Sequence, residues 1–155
     1  MLVLVLIAAA AAVILLMVVP RALLGRAQDR LARRLLDDPA SSFRLLTRAE
    51  RTTADAYRRL PGVLGLTADA LVFFGLFGES ETLVTSRIQK IVTGSVLSSG
   101  RRFLGREVLR LTASDGGETE FVLERASASA WRSHLGLWAG KERQADAERV
   151  VPGRG

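Results

Sequence analysis

The sequence predicts an α+β protein, mainly β, in which an N-terminal transmembrane helix precedes a seven-stranded domain closed by a C-terminal helix. Three observations support this fold class. The first nineteen residues contain no charged side chain, no polar side chain and no glycine. Between residues 50 and 123, short apolar segments with a period of two alternate with turn-forming residues, which is typical of strands. Beyond them, Trp131 and Leu135 stand at helical spacing.

The apolar run at the N terminus predicts a membrane span. Residues 2–19 would form roughly 27 Å of helix, close to the hydrocarbon thickness of about 30 Å. The run is longer than the apolar region of a signal peptide, no basic residue precedes it, and the sequence after Pro20 is a poor cleavage site. We therefore expect a retained transmembrane helix over residues 1–20.

Arginines that follow the span determine its expected orientation. Basic residues stay on the cytoplasmic side of a membrane, and only the N terminus precedes the span. The sequence thus predicts a single-pass protein of the cell membrane with its N terminus outside and its C-terminal domain in the cytoplasm. The absence of cysteine is compatible with a reducing compartment. The expected membrane-surface residues are Arg21, Arg26, Arg30, Arg33 and Arg34.

Residues 21–38 predict a basic amphipathic helix beside the membrane. Residues 21–36 contain five arginines and one aspartate (+4), whereas residues 61–125 contain seven basic and eight acidic side chains (−1). This distribution favours attraction to the bilayer and to anionic headgroups over nucleic-acid binding. The segment is compatible with an interfacial helix, a continuation of the span past Pro20, or a helix that packs against a membrane partner. Its apolar positions are Leu23, Leu24, Ala27, Leu31 and Leu35.

The segment after this helix is expected to connect it to the β-domain. Residues 37–39, Asp-Asp-Pro, predict the end of the helix, because proline disfavours helix in the residue before it. Residues 39–49 are expected to form a linker, and the stretch around residues 43–46 is compatible with a helical turn. The β-domain and its closing helix are expected over residues 50–138, followed by a mobile tail at 139–155.

Alternation of apolar and polar residues predicts seven strands. Residues 58–62 are interpreted as a connection because they contain proline and glycine, and residues 115–117 as a hairpin turn. The apolar run 63–77 is short for a second span and contains Asp69, so two strands are expected there. The predicted strands are residues 50–57, 63–66, 71–74, 81–85, 88–96, 107–112 and 118–123.

A closing helix is predicted after the last strand. Trp131, Leu135 and Trp138 stand at i, i+4 and i+7, which places them on one face. The candidates for its caps are Ser127 and Ser129 at the start and Gly140 at the end.

Residue patterns typical of active sites do not occur in the sequence. His134 is the only histidine, and no cysteine is present with which it could share a metal, so we expect it to be a surface residue. No Gly-x-Ser-x-Gly motif occurs, and no glycine-rich loop is followed by Lys-Ser or Lys-Thr. We therefore expect no enzyme, no cofactor and no metal site.

Three segments of the β-region occur in a recognisable order: PGVLGLTADALVFFG, TSRIQKIVTG and FLGREVLRLTASDGGETEFVLERASASAWRSHL. In this order they resemble the pleckstrin-homology-like (PH-like) superfamily, most closely its GRAM-like branch in bacterial membrane-anchored proteins. The resemblance covers about residues 50–138. It implies seven strands in two roughly orthogonal, strongly bent sheets with one open corner. A C-terminal helix would fill that corner through Trp131 and Leu135.

The resemblance also implies a non-catalytic interaction module. Lipid-binding members hold phosphates with basic residues near the loop between their first two strands, which here matches through Arg58 and Arg59. Because the β-domain is not basic overall, we favour a membrane-tethered module that docks a protein partner or supports a membrane assembly; the alternative is binding or sensing of anionic lipid headgroups. A second basic group is either part of such a patch or the solvated face of a sheet. It comprises Arg87, Lys90, Arg101, Arg102 and Arg106.

Overall fold

A long N-terminal helix and a curled antiparallel sheet make up the computed structural model of the protein. The structure describes residues 2–39, 41–52 and 58–135, with residues 2–17 described by their backbone alone. The helix, α1, spans Leu2–Asp37 and contains Pro20. Its backbone therefore continues past the proline, and its predicted end at residues 37–39 is confirmed.

The membrane span predicted over residues 1–20 coincides with the first part of α1. Among the residues described with their side chains, no helix is long and apolar enough to cross a membrane. Residues 2–17, which make up most of the predicted span, are not among those residues. Trp138, Gly140 and the predicted tail also lie outside the described residues.

The sheet contains seven strands within the described ranges, each antiparallel to its neighbours. These are β1 Leu45–Thr52, β2 Arg59–Leu66, β3 Ala70–Gly75, β4 Ser80–Val84, β5 Ile88–Gly94, β6 Arg106–Ala113 and β7 Glu118–Glu124. Their order in space is β4-β3-β2-β1-β7-β6-β5. A 3-10 helix, Thr85–Arg87, connects β4 to β5. Residues 125–135 form a second helix, α2, directly after β7.

The sheet curls so that its two halves enclose the core. Arg51 of β1 and Glu81 of β4 form an ion pair at 2.5 Å although β2 and β3 lie between their strands. Hydrogen bonding is continuous because β1 pairs with both β2 and β7. The expectation of two separate sheets is therefore replaced by one curled sheet. Its core contains Ala49, Leu64, Leu66, Leu71, Phe73, Leu109, Leu111, Phe121, Leu123, Trp131 and Leu135.

Helix α2 fills the core as predicted, but it begins earlier than predicted. Trp131 is 0% exposed and Leu135 is 2% exposed, which confirms their structural role. His134 on the same helix is exposed. The assignment of Ser127 or Ser129 as the N-cap is wrong, because α2 continues directly from β7 and both serines lie inside it. Ser129 Oγ instead donates to the carbonyl oxygen of Ala126 at 3.1 Å.

The first strand begins earlier than the sequence predicted. β1 starts at Leu45, within the expected linker, and pairs with β2 from Leu45 opposite Leu66 onwards. The helical turn considered at residues 43–46 is therefore wrong for Leu45 and Leu46. Leu45 packs against the core, so burial against β2 stabilises an extended conformation there. Residues 53–57, the second part of the predicted strand, lie outside the described residues.

The segment interpreted as a connection, residues 58–62, belongs mostly to β2. Pro61 pairs with Glu50 and Gly62 pairs with Ala49 in the β1–β2 register. A Cβ atom at Gly62 would lie 2.3 Å from the carbonyl oxygen of Phe74, so the glycine permits close approach of β3. Local turn preference is thus overridden by packing within the sheet.

Candidate functional site

The outer face of the sheet is covered by α1 where β1 and β2 meet. Val63 precedes the core residue Leu64 in β2 and therefore lies on the opposite, outer face of the sheet. Val63 is nevertheless 0% exposed, and it is not part of the core cluster. Helix α1 contacts both β1 and β2, and among its residues 18–37, whose side chains are described, Gln28 is the most buried, at 8% exposed. Gln28 Nε2 donates to the carbonyl oxygens of Ala49 and Gly62, at 3.1 and 2.7 Å. These bonds fix the position of the helix along the two strands.

The next residue of α1, Asp29, makes a second polar contact with the sheet. Arg48 Nε and Nη2 donate to the two carboxylate oxygens of Asp29 at 2.7 and 2.6 Å. These hydrogen bonds lower the pKa of Asp29 below its usual value and raise the pKa of Arg48. Of the predicted apolar face, Leu23 and Leu24 are exposed, at 57% and 37%, whereas Ala27, Leu31 and Leu35 are half-buried. The docking of α1 therefore includes polar contacts that the apolar spacing did not indicate.

The loop between β5 and β6, residues 95–105, folds back over the outer face of β6 and β7. Its Leu97 is 2% exposed and packs with Phe103 against Val108 and Val122 in a second apolar cluster. Since β5 ends at Gly94, the prediction that this strand extends to residue 96 is wrong. An isolated bridge pairs Val96 with Arg102 instead, so the loop closes on itself.

Glu120 of β7 holds this loop against the sheet. Glu120 is 6% exposed, and its Oε1 accepts from Ser98 N at 2.9 Å while its Oε2 accepts from Ser98 Oγ at 3.0 Å. Arg110 Nε donates to the same carboxylate at 2.6 Å and balances its charge. The loop is therefore positioned by the sheet through specific bonds.

An open groove lies on the outer face between α1 and the β5–β6 loop. Its volume is about 740 Å³. We call it the arginine groove, because six of its lining side chains are arginines. It is lined by Arg21, Leu24, Glu50, Arg58, Arg59, Pro61, Arg101, Arg102, Phe103, Leu104 and Arg106.

The charge of the arginine groove is strongly positive, since Glu50 is the one acidic residue that lines it. One carboxylate oxygen of Glu50 binds Arg59 Nη1 at 3.0 Å and the other binds Arg106. This carboxylate therefore holds two guanidinium groups in place and has little capacity to neutralise the others. Among the described residues, neither Arg21 nor Arg102 has a carboxylate within ion-pair distance.

Phe103 contacts two guanidinium groups in the groove, that of Arg59, which Glu50 also binds, and that of Arg101. The guanidinium carbon of Arg59 lies 5.3 Å from the centroid of the Phe103 ring, and that of Arg101 lies 5.7 Å from it. Such cation–π contacts restrain arginine side chains while leaving their N–H donors available. The site therefore presents many hydrogen-bond donors and one acidic acceptor, a composition suited to binding an anion.

The structure brings together arginines from three separate groups of the sequence. The membrane-surface group contributes Arg21, the group at the start of β2 contributes Arg58 and Arg59, and the third group contributes Arg101, Arg102 and Arg106. The remaining predicted residues are exposed but do not line the groove. They are Arg26, Arg30, Arg33 and Arg34 on α1, Arg87 in the 3-10 helix and Lys90 in β5.

Sequence analysis did not identify Phe103 and Leu104 as part of this site. Leu104 is 100% exposed at the tip of the β5–β6 loop, next to Phe103. The tip is bounded by Gly100 and Gly105, whose φ angles of 81° and 72° lie in the left-handed region. The motif Arg-Arg-Phe-Leu between two glycines was the available indication of an exposed turn that presents both charge and apolar surface.

No group of three or more histidine, aspartate or glutamate side chains suited to a metal ion occurs among the described residues.

Comparisons with known proteins show the fold alone. No family model matches the chain, and no curated protein matches it. The structure is similar to the crystal structure of the C-terminal domain of an unknown protein from Leishmania infantum, with a TM-score of 0.51 and 13% identity over 69% of this chain and 94% of that chain. Similarity to the pleckstrin homology (PH) domain of USP37 is weaker, with a TM-score of 0.43 and 15% identity over 64% of this chain and 96% of that chain.

The observed topology agrees with the PH-like resemblance of the sequence. Seven antiparallel strands form a curled sheet, and a helix that follows the last strand fills the core. These are features that the PH-like resemblance of the sequence implies. The arginine groove is the candidate site on this fold.

Proposed function

We propose that the chain is a membrane-tethered, non-catalytic interaction module, with its PH-like domain held close to the bilayer. One observation carries this proposal: α1 runs without interruption from the apolar segment 2–19 to the part that docks on β1 and β2. A span in the first part of α1 would hold the sheet at a fixed height and orientation, since no flexible linker separates the two.

The location that we propose follows from the arginines after residue 20. Basic residues on this flank favour an N terminus outside the cell and a PH-like domain in the cytoplasm of a single-pass protein. The assignment to the GRAM-like branch of bacterial membrane-anchored proteins rests on the sequence resemblance alone and is part of the same proposal.

Two classes of partner are compatible with a tethered module. The nearly neutral total charge of the β-domain favours the first class, docking of a protein partner or support of a membrane assembly. The arginine groove favours the second class, anionic lipid headgroups, because it concentrates six arginines beside the tether. Tethering would make weak binding sufficient, since the local lipid concentration is high.

Membrane insertion of the full chain tests the tether. Alkaline carbonate extraction of membranes from cells that express the chain should leave it in the pellet. A matched variant, in which Leu4, Leu6 and Leu15 are replaced by aspartate, should be released. If the unaltered chain is released by carbonate, or if protease added to intact cells digests the PH-like domain, the proposed tether or its orientation is wrong.

A further inference from the structure

We propose that an acidic helical segment of a protein partner docks on the side of α1 that points away from the sheet. We call this side the outer stripe, and it comprises Arg26, Arg30, Arg33 and Arg34. The inference rests on the proposed function, because the tether decides how far the stripe lies from the bilayer. It names the chemistry of a protein partner and concerns a surface separate from the arginine groove.

The four arginines of the outer stripe share one side of α1. At 3.6 residues per turn, all four lie within about 60° of the direction opposite Gln28, whose amide binds the sheet. All four are exposed, and no carboxylate of the described residues lies within ion-pair distance of them. Asp29, the one acidic residue between them in sequence, is bound by Arg48 of β1. The stripe therefore presents four guanidinium groups to solvent.

Like charges repeat along the outer stripe. Arg26 and Arg30 stand four residues apart, as do Arg30 and Arg34, and like charges at this spacing destabilise a helix. A solvated helix face that alternates in sign is stabilised by its pairs instead. Asp37 lies on the same side only at the last residue of α1. An acidic surface laid against the stripe would relieve the repulsion between its arginines.

The apolar side of α1 is already occupied by the sheet. A helix that lies on a membrane buries its apolar side among the acyl chains. Here Leu31 and Leu35 lie within about 60° of Gln28 and are half-buried. In addition, α1 is one helix over Leu2–Asp37, so the part that carries the stripe leads away from a bilayer that residues 2–19 span. This arrangement does not fit an interfacial helix.

Distance separates most of the outer stripe from the lipid headgroups. Arg30 and Arg34 lie about 16.5 and 22.5 Å along the helix from Val19, the last residue of the apolar run. The headgroup layer is roughly 5–7 Å thick, and attraction to it falls off within a Debye length of about 8 Å. Both distances exceed the sum of the two, and a tilt of about 20° shortens them by less than roughly a tenth. A protein is therefore the better partner for this part of the stripe.

The spacing of the outer stripe indicates a helix as the occupant. Arg26, Arg30 and Arg33 stand at i, i+4 and i+7, over about 10.5 Å of helix. A second helix packed nearly parallel to α1 keeps its side chains beside the stripe over several turns. Glutamates at the same spacing on that helix would each meet a guanidinium, whose fork of N–H donors matches a carboxylate.

Two labelled positions test the placement of the outer stripe. The chain has no cysteine, so Ala22→Cys and Leu36→Cys, both at exposed positions of α1, can each carry one fluorophore on the full-length protein. The protein is reconstituted in nanodiscs of phosphatidylcholine, some of whose headgroups carry a nitroxide quencher. We expect strong quenching at position 22 and little at position 36, because quenching by the nitroxide requires contact with the headgroup layer.

An acidic peptide tests docking itself. An alanine-rich helical peptide with glutamates at i, i+4 and i+7 is anchored in the same discs through an acyl chain and a flexible spacer, which raises its local concentration to about the millimolar range. Energy transfer from the label at position 36 reports association. We expect more transfer to this peptide than to one of the same composition with its glutamates on three different sides, and a decrease as salt rises.

Neutral substitutions identify the residues that bind the peptide. Arg30→Gln with Arg34→Gln should lower the apparent association constant by about 2- to 30-fold, the effect of losing two exposed charge pairs. Arg87→Gln with Lys90→Gln removes the same net charge away from α1 and should leave association unchanged. Arg101→Gln with Arg102→Gln, in the arginine groove, should also leave it unchanged.

Each other outcome overturns a defined part of the argument. If the protein fails to co-elute with the discs, the tether is wrong, and the docking proposal fails with it. If it co-elutes and position 36 is quenched as strongly as position 22, the stripe lies on lipid and the docking proposal alone is wrong. Equal transfer to the two peptides, or equal losses in the stripe variant and the Arg87 and Lys90 variant, would mean that only net charge matters. If polyuridylate at equal charge binds more tightly than the peptide, the partner is a nucleic acid and the protein assignment is wrong.

Discussion

Gln28 and Gly62 are joined by a 2.7 Å hydrogen bond from the side-chain Nε2 to the backbone carbonyl oxygen, at the contact between α1 and β2. The same amide donates to the carbonyl oxygen of Ala49 at 3.1 Å, and Ala49 is the partner of Gly62 in the β1–β2 register. An amide buried without partners would cost roughly 1–3 kcal/mol. A helix displaced along the sheet would lose both acceptors and bury the amide unpaired, so the two bonds favour one position of α1.

Replacing Gln28 by alanine should loosen α1. The variant loses both hydrogen bonds, and we expect the free energy for opening the docked part of the helix to fall by about 1–3 kcal/mol. Amide hydrogen exchange over residues 24–36 of the full-length protein measures this change. Gln89→Ala, at an exposed position of β5, is the matched control and should leave exchange unchanged. Unaltered protection of α1 in the Gln28 variant would show that its bonds do not hold the helix.

The contact between Asp29 and Arg48 should make docking of α1 dependent on pH. Because the folded pKa of Asp29 is lowered from 3.8, its contribution is present above about pH 4 and is lost as the pH falls through the folded value. The pair is about 40% exposed on each side, so we expect about 0.2–1 kcal/mol.

Asp29→Asn measures this contribution. The difference in unfolding free energy between the unaltered protein and the variant should appear at pH 7 and vanish at strongly acidic pH. Glu118→Gln removes an exposed carboxylate from β7 and serves as the control, for which we expect no comparable difference. A difference for Asp29→Asn that persists unchanged below its folded pKa would contradict the assigned cause.

The centres of the strands could be predicted from sequence, whereas the ends of β1 and β2 could not. Alternation is a local property, so residues 71–74 and 107–112 fall within β3 and β6 as predicted. At residues 58–62, proline and glycine favour a turn locally. The close packing of Gly62 against Phe73 and Phe74 makes the same residues part of a strand, and that packing involves residues distant in sequence.

The arginines of the candidate site could be identified from the sequence, but the way in which the fold brings them together could not. Sequence analysis identified all six of its arginines, five of them as candidates for one lipid or partner patch, but it assigned Arg21 to the membrane surface and did not place α1 beside that patch. Their assembly depends on Gln28, which docks α1, and on Glu120, which holds the β5–β6 loop. The bonds from Gln28 to the two strands and from Glu120 to Ser98 of the loop join residues 21 or more positions apart, and no local pattern indicates such pairings.

Gly62→Ala should destabilise the protein, whereas Gly94→Ala should not. A Cβ atom at Gly62 would lie 2.3 Å from the carbonyl oxygen of Phe74 and 2.6 Å from the ring of Phe73, while nothing lies within 4 Å of one at Gly94. Overpacking of this kind typically costs about 1–3 kcal/mol. Both glycines lie in strands, so the pair separates steric conflict from strand propensity. Urea unfolding measures the two changes, and equal losses would refute the close approach of β2 and β3.

Trp131→Ala should remove the largest single contribution of α2 to stability. The indole is 0% exposed in the core, and truncation of such a side chain costs about 3–5 kcal/mol of the roughly 5–15 kcal/mol that stabilise a typical domain. Trp131→Phe keeps most of the buried volume and should cost less. His134→Ala, at an exposed position of α2, should have little effect, and we expect Trp138→Ala to cost less than Trp131→Ala. Urea unfolding followed by circular dichroism tests the series, because fluorescence would change with the tryptophans themselves. Small and equal losses at Trp131 and His134 would mean that α2 does not hold the curled sheet closed.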